Sequence, residues 1–206
     1  AKTTVKLLYG QAFRAPNGYE LRIEQYASQA AKSALTPESI KTTEVVVEQY
    51  LGDHLRLATS VFSYRIKNLI NGGLDPRTGL PTFINTGRVK SAGIETEVEA
   101  KLHHGAQGLL SYAYQSARDL QTDQTLTNSP AHVAKLNLDA PLGSEKLVAG
   151  LEMQYLSQRK TLAGDHVGAF LLTNLTLPSQ RLAKRFDLSF SIYNLLDQQY
   201  AVPGSG

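Results

Sequence analysis

Residues 92–103 alternate strictly between two kinds of side chain. Ala92, Ile94, Thr96, Val98, Ala100 and Leu102 fall on one side of an extended chain, and Gly93, Glu95, Glu97, Glu99, Lys101 and His103 on the other. Successive side chains of a β-strand point to opposite faces. The run therefore predicts a strand about 40 Å long, apolar on one face and charged on the other. An ordinary strand has about 5–6 residues, whereas a tilted membrane-crossing strand needs about 9–11. The same period recurs at 108–116, 132–140, 146–155, 169–177 and 186–193, and less cleanly at 3–13, 40–51 and 54–67. In 169–177, Phe170 and Leu172 interrupt the polar face. Nine strands are predicted in all. Residues 22–34 hold good helix formers, so a short helix or an irregular segment is expected there.

The connections between these strands alternate in length. Long ones fall at 14–38, 68–86 and 118–130, with one of intermediate length at 158–166. Short turns fall near 52–54, 104–107, Pro141-Leu142-Gly143-Ser144 and Pro178-Ser179-Gln180. Long loops at one end and tight turns at the other characterise outer-membrane barrels, whereas a soluble sandwich has no such systematic alternation. An apolar strand face must be covered, and here the opposite face is polar along its length. Lipid outside and a wet lumen inside satisfy both faces, and closure pairs the backbone groups that hydrocarbon would leave stranded. The expected fold is all-β: an antiparallel up-and-down transmembrane β-barrel fragment of about nine strands. Tyr9, Phe13, Tyr64, Tyr155 and Tyr193 lie near predicted strand ends, where aromatic girdles sit.

Composition narrows this picture. The 206 residues carry 21 basic and 18 acidic side chains without a basic block, so nothing marks a nucleic-acid surface. The absence of cysteine removes disulfides, thiolate metal sites and a cysteine nucleophile. No run of 18 apolar residues exists to form a membrane-spanning helix, which a barrel does not require. The polar face of 92–103 sets Glu95, Glu97 and Glu99 about 7 Å apart. Carboxylates so spaced could bind a metal or exchange protons. A wet lumen face, balanced by Lys101 and by bases on neighbouring strands, accounts for them more simply. His103 and His104 fall in a tight turn and point apart. Asn71-Gly72-Gly73 and Asp75-Pro76-Arg77-Thr78-Gly79 are turn chemistry within a long loop. No spacing commits to nucleophilic catalysis, and no cofactor is implied, so an enzyme is not expected.

Several words of the sequence are familiar. Tyr9-Gly10-Gln11-Ala12-Phe13-Arg14-Ala15-Pro16, continuing to Glu20-Leu21, resembles a strand-to-loop signature of TonB-dependent receptors. Leu35-Thr36-Pro37-Glu38-Ser39-Ile40 is similar to the opening of that family's next strand. Val61 to Ile70, Asn85-Thr86-Gly87, Ser91 to Glu97 and Ser191 to Tyr200 resemble later family motifs, in the family's order. The resemblance implies a C-terminal part of a receptor barrel over 1–206. Such barrels hold about 22 strands around a plugged lumen, so the plug domain, the early strands and the final strand are expected to lie outside this piece. Gly10 and Gly93 suit a bend or close packing within a strand, Pro16 ends the first strand, and Asn194 and Asp197 suit self-bonded turns.

The resemblance further implies an outer-membrane protein of a Gram-negative bacterium. It would import a scarce nutrient, a ferric siderophore or similar iron complex first, with cobalamin, haem or an oligosaccharide as alternatives. Its partners would be outer-membrane lipid, the nutrient ligand and, through the plug, TonB. Ligand contacts are expected from the long loops, with Tyr19, Arg22, Arg77, Arg159 and His166 as candidates for stacking, charge or capture. A passive porin or surface-binding barrel explains the strands but not the ordered motifs. A soluble β-protein with a structural or lectin-like role would require solubility without detergent.

Overall fold

The computed structural model describes residues 2–29, 34–85, 87–143, 147–161, 164–182 and 186–201. In chain order the elements are β1 (Lys2–Arg14), α1 (Gly18–Ser28), β2 (Glu38–Leu51), β3 (Leu55–Lys67), β4 (Ile70–Leu74), β5 (Pro81–Asn85), β6 (Arg88–Lys101), a single turn at His103–Gly105, β7 (Gln107–Asp119), β8 (His132–Pro141), β9 (Val148–Leu156), β10 (Arg159–Lys160), β11 (His166–Val167), β12 (Phe170–Leu182) and β13 (Phe186–Ile192). Nine of these strands form one antiparallel sheet in the order β1-β2-β3-β6-β7-β8-β9-β12-β13. Hairpins β4–β5 and β10–β11 stand apart from it as two-stranded sheets in long connections. All nine predicted sheet strands are present. The sheet is open, with β1 and β13 as its edges.

The register assembles the alternating residues into two faces of opposite character. On one, Leu7, Val45, Val61, Ile94 and Tyr114 stand side by side across β1, β2, β3, β6 and β7. Val98, Leu110, Leu136 and Met153 form another such row from β6 to β9. This apolar face is the exposed one: Leu7 is 76% exposed, Val61 56% and Phe190 60%. The charges occupy the more sheltered face. There Arg56 reaches Glu97 at 2.8 Å, Glu48 at 3.3 Å and Glu99 at 3.6 Å, while Lys6 meets Glu48 at 3.1 Å. The expected neighbouring-strand base is thus Arg56, which contacts two of the three glutamates on β6. A water-soluble protein has the reverse arrangement, with apolar side chains inside.

Close packing inside the polar face explains one glycine. Phe62 is 3% exposed and stacks on Tyr64 with ring centroids 4.7 Å apart. Gly93 lies directly opposite Phe62. A Cβ there would sit 2.7 Å from the Phe62 ring and would also collide with the Tyr114 carbonyl. Tyr64 therefore faces inward with Phe62 rather than joining an outer girdle. Tyr9, Tyr112 and Tyr114 do lie on the apolar face and are exposed, and the Tyr112 hydroxyl is 2.8 Å from Nδ1 of His132 on β8.

One expected detail differs. The turn placed at Pro178-Ser179-Gln180 is strand, because β12 continues to Leu182 and Pro178 pairs with Ser189. Pairing with β9 ends at Thr176. Pro178, which has no N–H to donate, thus lies where only one neighbour remains and the register shifts soon after, between Ser179 and Leu182. Phe170, which breaks the polar face of β12, is 8% exposed and covered by Tyr200 at 4.7 Å between ring centroids.

The face assignment makes a direct prediction. Val61 is the central residue of β3 on the apolar face, and Ala58 faces the charges of Glu48 and Glu97. In reversible unfolding of the bilayer-embedded protein, Val61→Arg is expected to cost about 2–4 kcal/mol, the penalty for Arg at a bilayer midplane. Ala58→Arg is expected to cost clearly less, because it faces the wet lumen and two carboxylates rather than lipid.

Candidate functional site at the long-loop rim

The long connections all leave from one end of the sheet, and the first of them builds a compact structure on the rim. Pro16 ends β1, and Asn17 caps α1. The Asn17 side chain accepts from the Glu20 amide at 2.9 Å, and the Glu20 carboxylate accepts from the Asn17 amide at 2.8 Å. This reciprocal capping box satisfies two backbone donors at the helix start. It moves the helix four residues upstream of the predicted 22–34, to Gly18–Ser28. Residues 30–33 lie outside the described residues.

Arg14 then fixes the helix to the barrel wall. Its guanidinium donates to both Glu20 oxygens at 3.0 Å, and to the two Glu38 oxygens at 2.7 and 2.9 Å. Glu38 opens β2 and also accepts from the Ile70 amide at 2.7 Å, which anchors the start of β4. A planar guanidinium can hold two carboxylates through paired bonds, which a lysine ammonium cannot reproduce. One side chain therefore joins β1, α1, β2 and the β4–β5 hairpin. Asn85 closes the same structure, donating to the Thr36 carbonyl at 2.9 Å and the Asn68 carbonyl at 2.7 Å.

The β4–β5 hairpin packs on α1. Tyr19 meets Phe83 edge to face at 5.9 Å between centroids, and Ala27 is fully buried. At the hairpin tip, Arg77 donates to the Ser28 carbonyl at 3.2 Å and the Thr78 hydroxyl to the Ala27 carbonyl at 2.8 Å. These bonds satisfy carbonyls that a helix C-terminus leaves free. The Asp75 carboxylate holds the tip itself, accepting from the amides of Arg77 and Thr78 at 2.9 Å. Those amide bonds, Thr78 first, hold its carboxyl below the usual carboxylate range.

The five candidate residues divide between two places. Tyr19 and Arg22 lie on α1 and Arg77 on the hairpin beside it. Tyr19 is 68% exposed beyond its contact with Phe83, Arg22 is exposed, and Arg77 is engaged with the helix end. Arg159 and His166 belong to β10–β11, in another long connection. Arg159 is 6% exposed, lies 5.2 Å from the Phe170 ring centroid and donates to the Ala201 carbonyl at 3.2 Å. His166 is exposed beside a recess of about 750 Å³ whose walls include Asp123, Gln124, His132, Ser157 and Lys160. Tyr26, 77% exposed, was not among the candidates. It stands four residues after Arg22 and seven after Tyr19, so all three share one helical face. That spacing was visible in the sequence once a helix begins at Gly18. Among the described residues no three His, Asp or Glu side chains gather as a metal group.

The sheet, its inverted faces and its rim match a known family. The model of the β-barrel of TonB-dependent receptor-like proteins matches residues 2–195, and the chain belongs to this family of Gram-negative outer-membrane proteins. Three solved structures share the fold. The copper transporter OprC is 20% identical with a TM-score of 0.79, over 98% of this chain and 32% of that one. The ferric enterobactin receptor PfeA of Pseudomonas aeruginosa is 20% identical with a TM-score of 0.77, over 95% and 33%. The ferric-catecholate import receptor Fiu of K12 E. coli is 19% identical with a TM-score of 0.73, over 96% and 29%. The chain thus spans about a third of the length of these structures. A comparison with curated proteins gave no match.

If Arg14 organises the rim, its removal should loosen the whole first connection. In hydrogen exchange of the folded receptor, Arg14→Ala is expected to speed exchange of α1 and β4–β5 amides by about tenfold or more. Amides in β8 and β9 are expected to stay unchanged. Equal exchange in the variant and the parent would remove Arg14 from this role.

Proposed function

We propose that this chain is part of a TonB-dependent active transporter that carries a scarce nutrient across the outer membrane, and that the nutrient is a ferric siderophore or similar iron complex. The observation that carries the ligand reading is the exposed face of α1. Tyr19, Arg22 and Tyr26 are set there on one side of a helix that Arg14 ties to the rim. An anionic metal chelate with aromatic rings is bound by a cation together with aromatic faces. The names of similar structures include receptors for a ferric catecholate and for ferric enterobactin, which supports the same class. In this reading Arg77 positions the helix by bonding its C-terminal end, and His166 lines a separate recess available to a ligand. Arg159 supports the β10 strand from within, through Phe170 and Ala201. TonB would act through a plug domain, releasing the bound complex into the lumen.

The test uses the receptor that carries this chain and a ferric catecholate probe. Tyr19→Ala/Arg22→Ala/Tyr26→Ala is expected to weaken binding by at least about tenfold, equivalent to about 1.4 kcal/mol. A helix signal that stays constant in hydrogen exchange would show that the rim remains folded. Unchanged probe affinity in that folded variant would discard the α1 face as the contact. Unchanged affinity together with no TonB-dependent uptake of any iron chelate would discard the ligand class.

A further inference from the structure

The apolar face carries a cluster of charge at its long-loop end. Among the sheet residues whose side chains are described, its charged residues are Lys41, Arg65, Lys67, Arg88, Lys90 and Arg118, with no acidic residue among them. All six are exposed and all lie at the long-loop ends of four adjacent strands, β2, β3, β6 and β7. The register sets them directly against one another: Lys41 faces Arg65, Arg65 faces Lys90, Lys90 faces Arg118, and Lys67 faces Arg88. Like charges directly opposite on a sheet are destabilising. Only Arg118 has a carboxylate partner among the described residues, an exposed contact to Asp123 at 3.3 Å.

At the short-turn end of the same face, the described residues Leu51, Leu102, Leu142 and Leu147 are exposed and apolar. Moving towards the long loops, the order is regular. The apolar row Val45, Val61, Ile94 and Tyr114 is followed by the small or hydroxyl row Thr43, Ser63, Ala92 and Ser116, and then by Lys41, Arg65, Lys90 and Arg118. Four residues of strand rise about 13 Å, or about 10 Å along the membrane normal at a tilt of about 40°. Measured from Val61 at the midplane, that brings the cations close to the outward edge of an apolar band about 25 Å tall, from which long Lys and Arg side chains extend into the headgroup layer. Long loops mark the outward side of such a barrel, so the cations meet the outward leaflet.

We propose that these cations form a binding site on the outer barrel wall for a lipid headgroup with more than one phosphate, a phosphorylated glycolipid of the outward leaflet. Neighbouring strands are about 4.8 Å apart, so the row of four spans about 14 Å, and the second row lies about 7 Å beyond it. A single phosphodiester neutralises too little of a patch this wide. A headgroup with two separated phosphates can bridge Lys41 and Arg65 on one side and Lys90 and Arg118 on the other. Its acyl chains would then lie across the row that holds Val61 and Ile94. The guanidinium groups supply paired donors to phosphate oxygens.

The test places the receptor that carries this chain in phosphatidylcholine nanodiscs and counts retained lipid by native mass spectrometry. The probes are bisphosphorylated lipid A, phosphatidylglycerol and inorganic phosphate. The parent is expected to retain lipid A in preference to phosphatidylglycerol. Lys41→Gln/Arg65→Gln/Lys90→Gln/Arg118→Gln is expected to weaken lipid A retention at least about a hundredfold, on the order of fivefold per charge. The exchanged variant Lys41→Arg/Arg65→Lys/Lys90→Arg/Arg118→Lys, and the inward-facing Lys135→Gln, are expected to retain it. If the fourfold variant does not fold, Lys41→Gln/Arg65→Gln and Lys90→Gln/Arg118→Gln separately should each weaken retention by about 25-fold. Parent-like retention in the glutamine variants overturns the proposal. So does equal retention of phosphatidylglycerol, or displacement of lipid A by an equal concentration of inorganic phosphate.

Discussion

The structure depends on one inversion: its apolar side chains face outward and, below the long-loop rim, the described charges of its strands face inward. Val45, Val61, Ile94 and Leu110 are each 39% exposed or more, while Glu48 and Arg56 sit in an ion-paired group on the other face. In water this arrangement would forfeit the burial that drives folding. In lipid it does not, because the exposed rows meet hydrocarbon and the interior strands pair their backbone groups with neighbours on both sides. Strand length follows from the same constraint. The main strands β1, β2, β3, β6 and β7 run to 13 or 14 residues, long enough to cross at a tilt and project beyond the membrane.

Where the strands project, the chain changes its means of stabilisation from apolar packing to hydrogen bonds and ion pairs. Arg14 joins two carboxylates from two elements, Asn85 joins two loops, and Arg77 and Thr78 finish a helix. This gives a physical account of the family words at the rim. Arg14, Glu20 and Glu38 are separated in sequence yet belong to one bonded group, and Asn17 is free to cap because Pro16 has ended the strand. The outcome is a helix held rigidly while Tyr19, Arg22 and Tyr26 remain exposed.

The alternating faces were legible because they are local: a period of two can be read from any ten residues. The nine strands and the loop asymmetry followed from it. The helix was half legible. Composition suggests 22–34, whereas the start is set by the capping box at Asn17 and Glu20, a signal of two residues rather than of composition. Arg77 and Arg159 illustrate what sequence cannot supply. Both are cations in polar loops, and nothing nearby in the chain reveals that one would bond a helix end about fifty residues upstream and the other would be buried against Phe170. The row of opposed cations was invisible for the same reason. Lys41, Arg65, Lys90 and Arg118 are ordinary in isolation and become a cluster only through the register of four strands.

The account rests on which way the two faces of β6 point. Single nitroxide labels at each position from Arg88 to Lys101, in the bilayer-embedded receptor, measure this through relaxation by oxygen and by a water-soluble nickel chelate. Oxygen, concentrated in hydrocarbon, should relax labels at positions 94, 96, 98 and 100 most strongly, and the nickel chelate those at 95, 97, 99 and 101. Labels at 88 and 90 should lose the hydrocarbon signature, as expected of the headgroup layer. Nickel access at 94 and 98 equal to that at 95 and 97 would contradict the lipid-facing assignment and the account built on it.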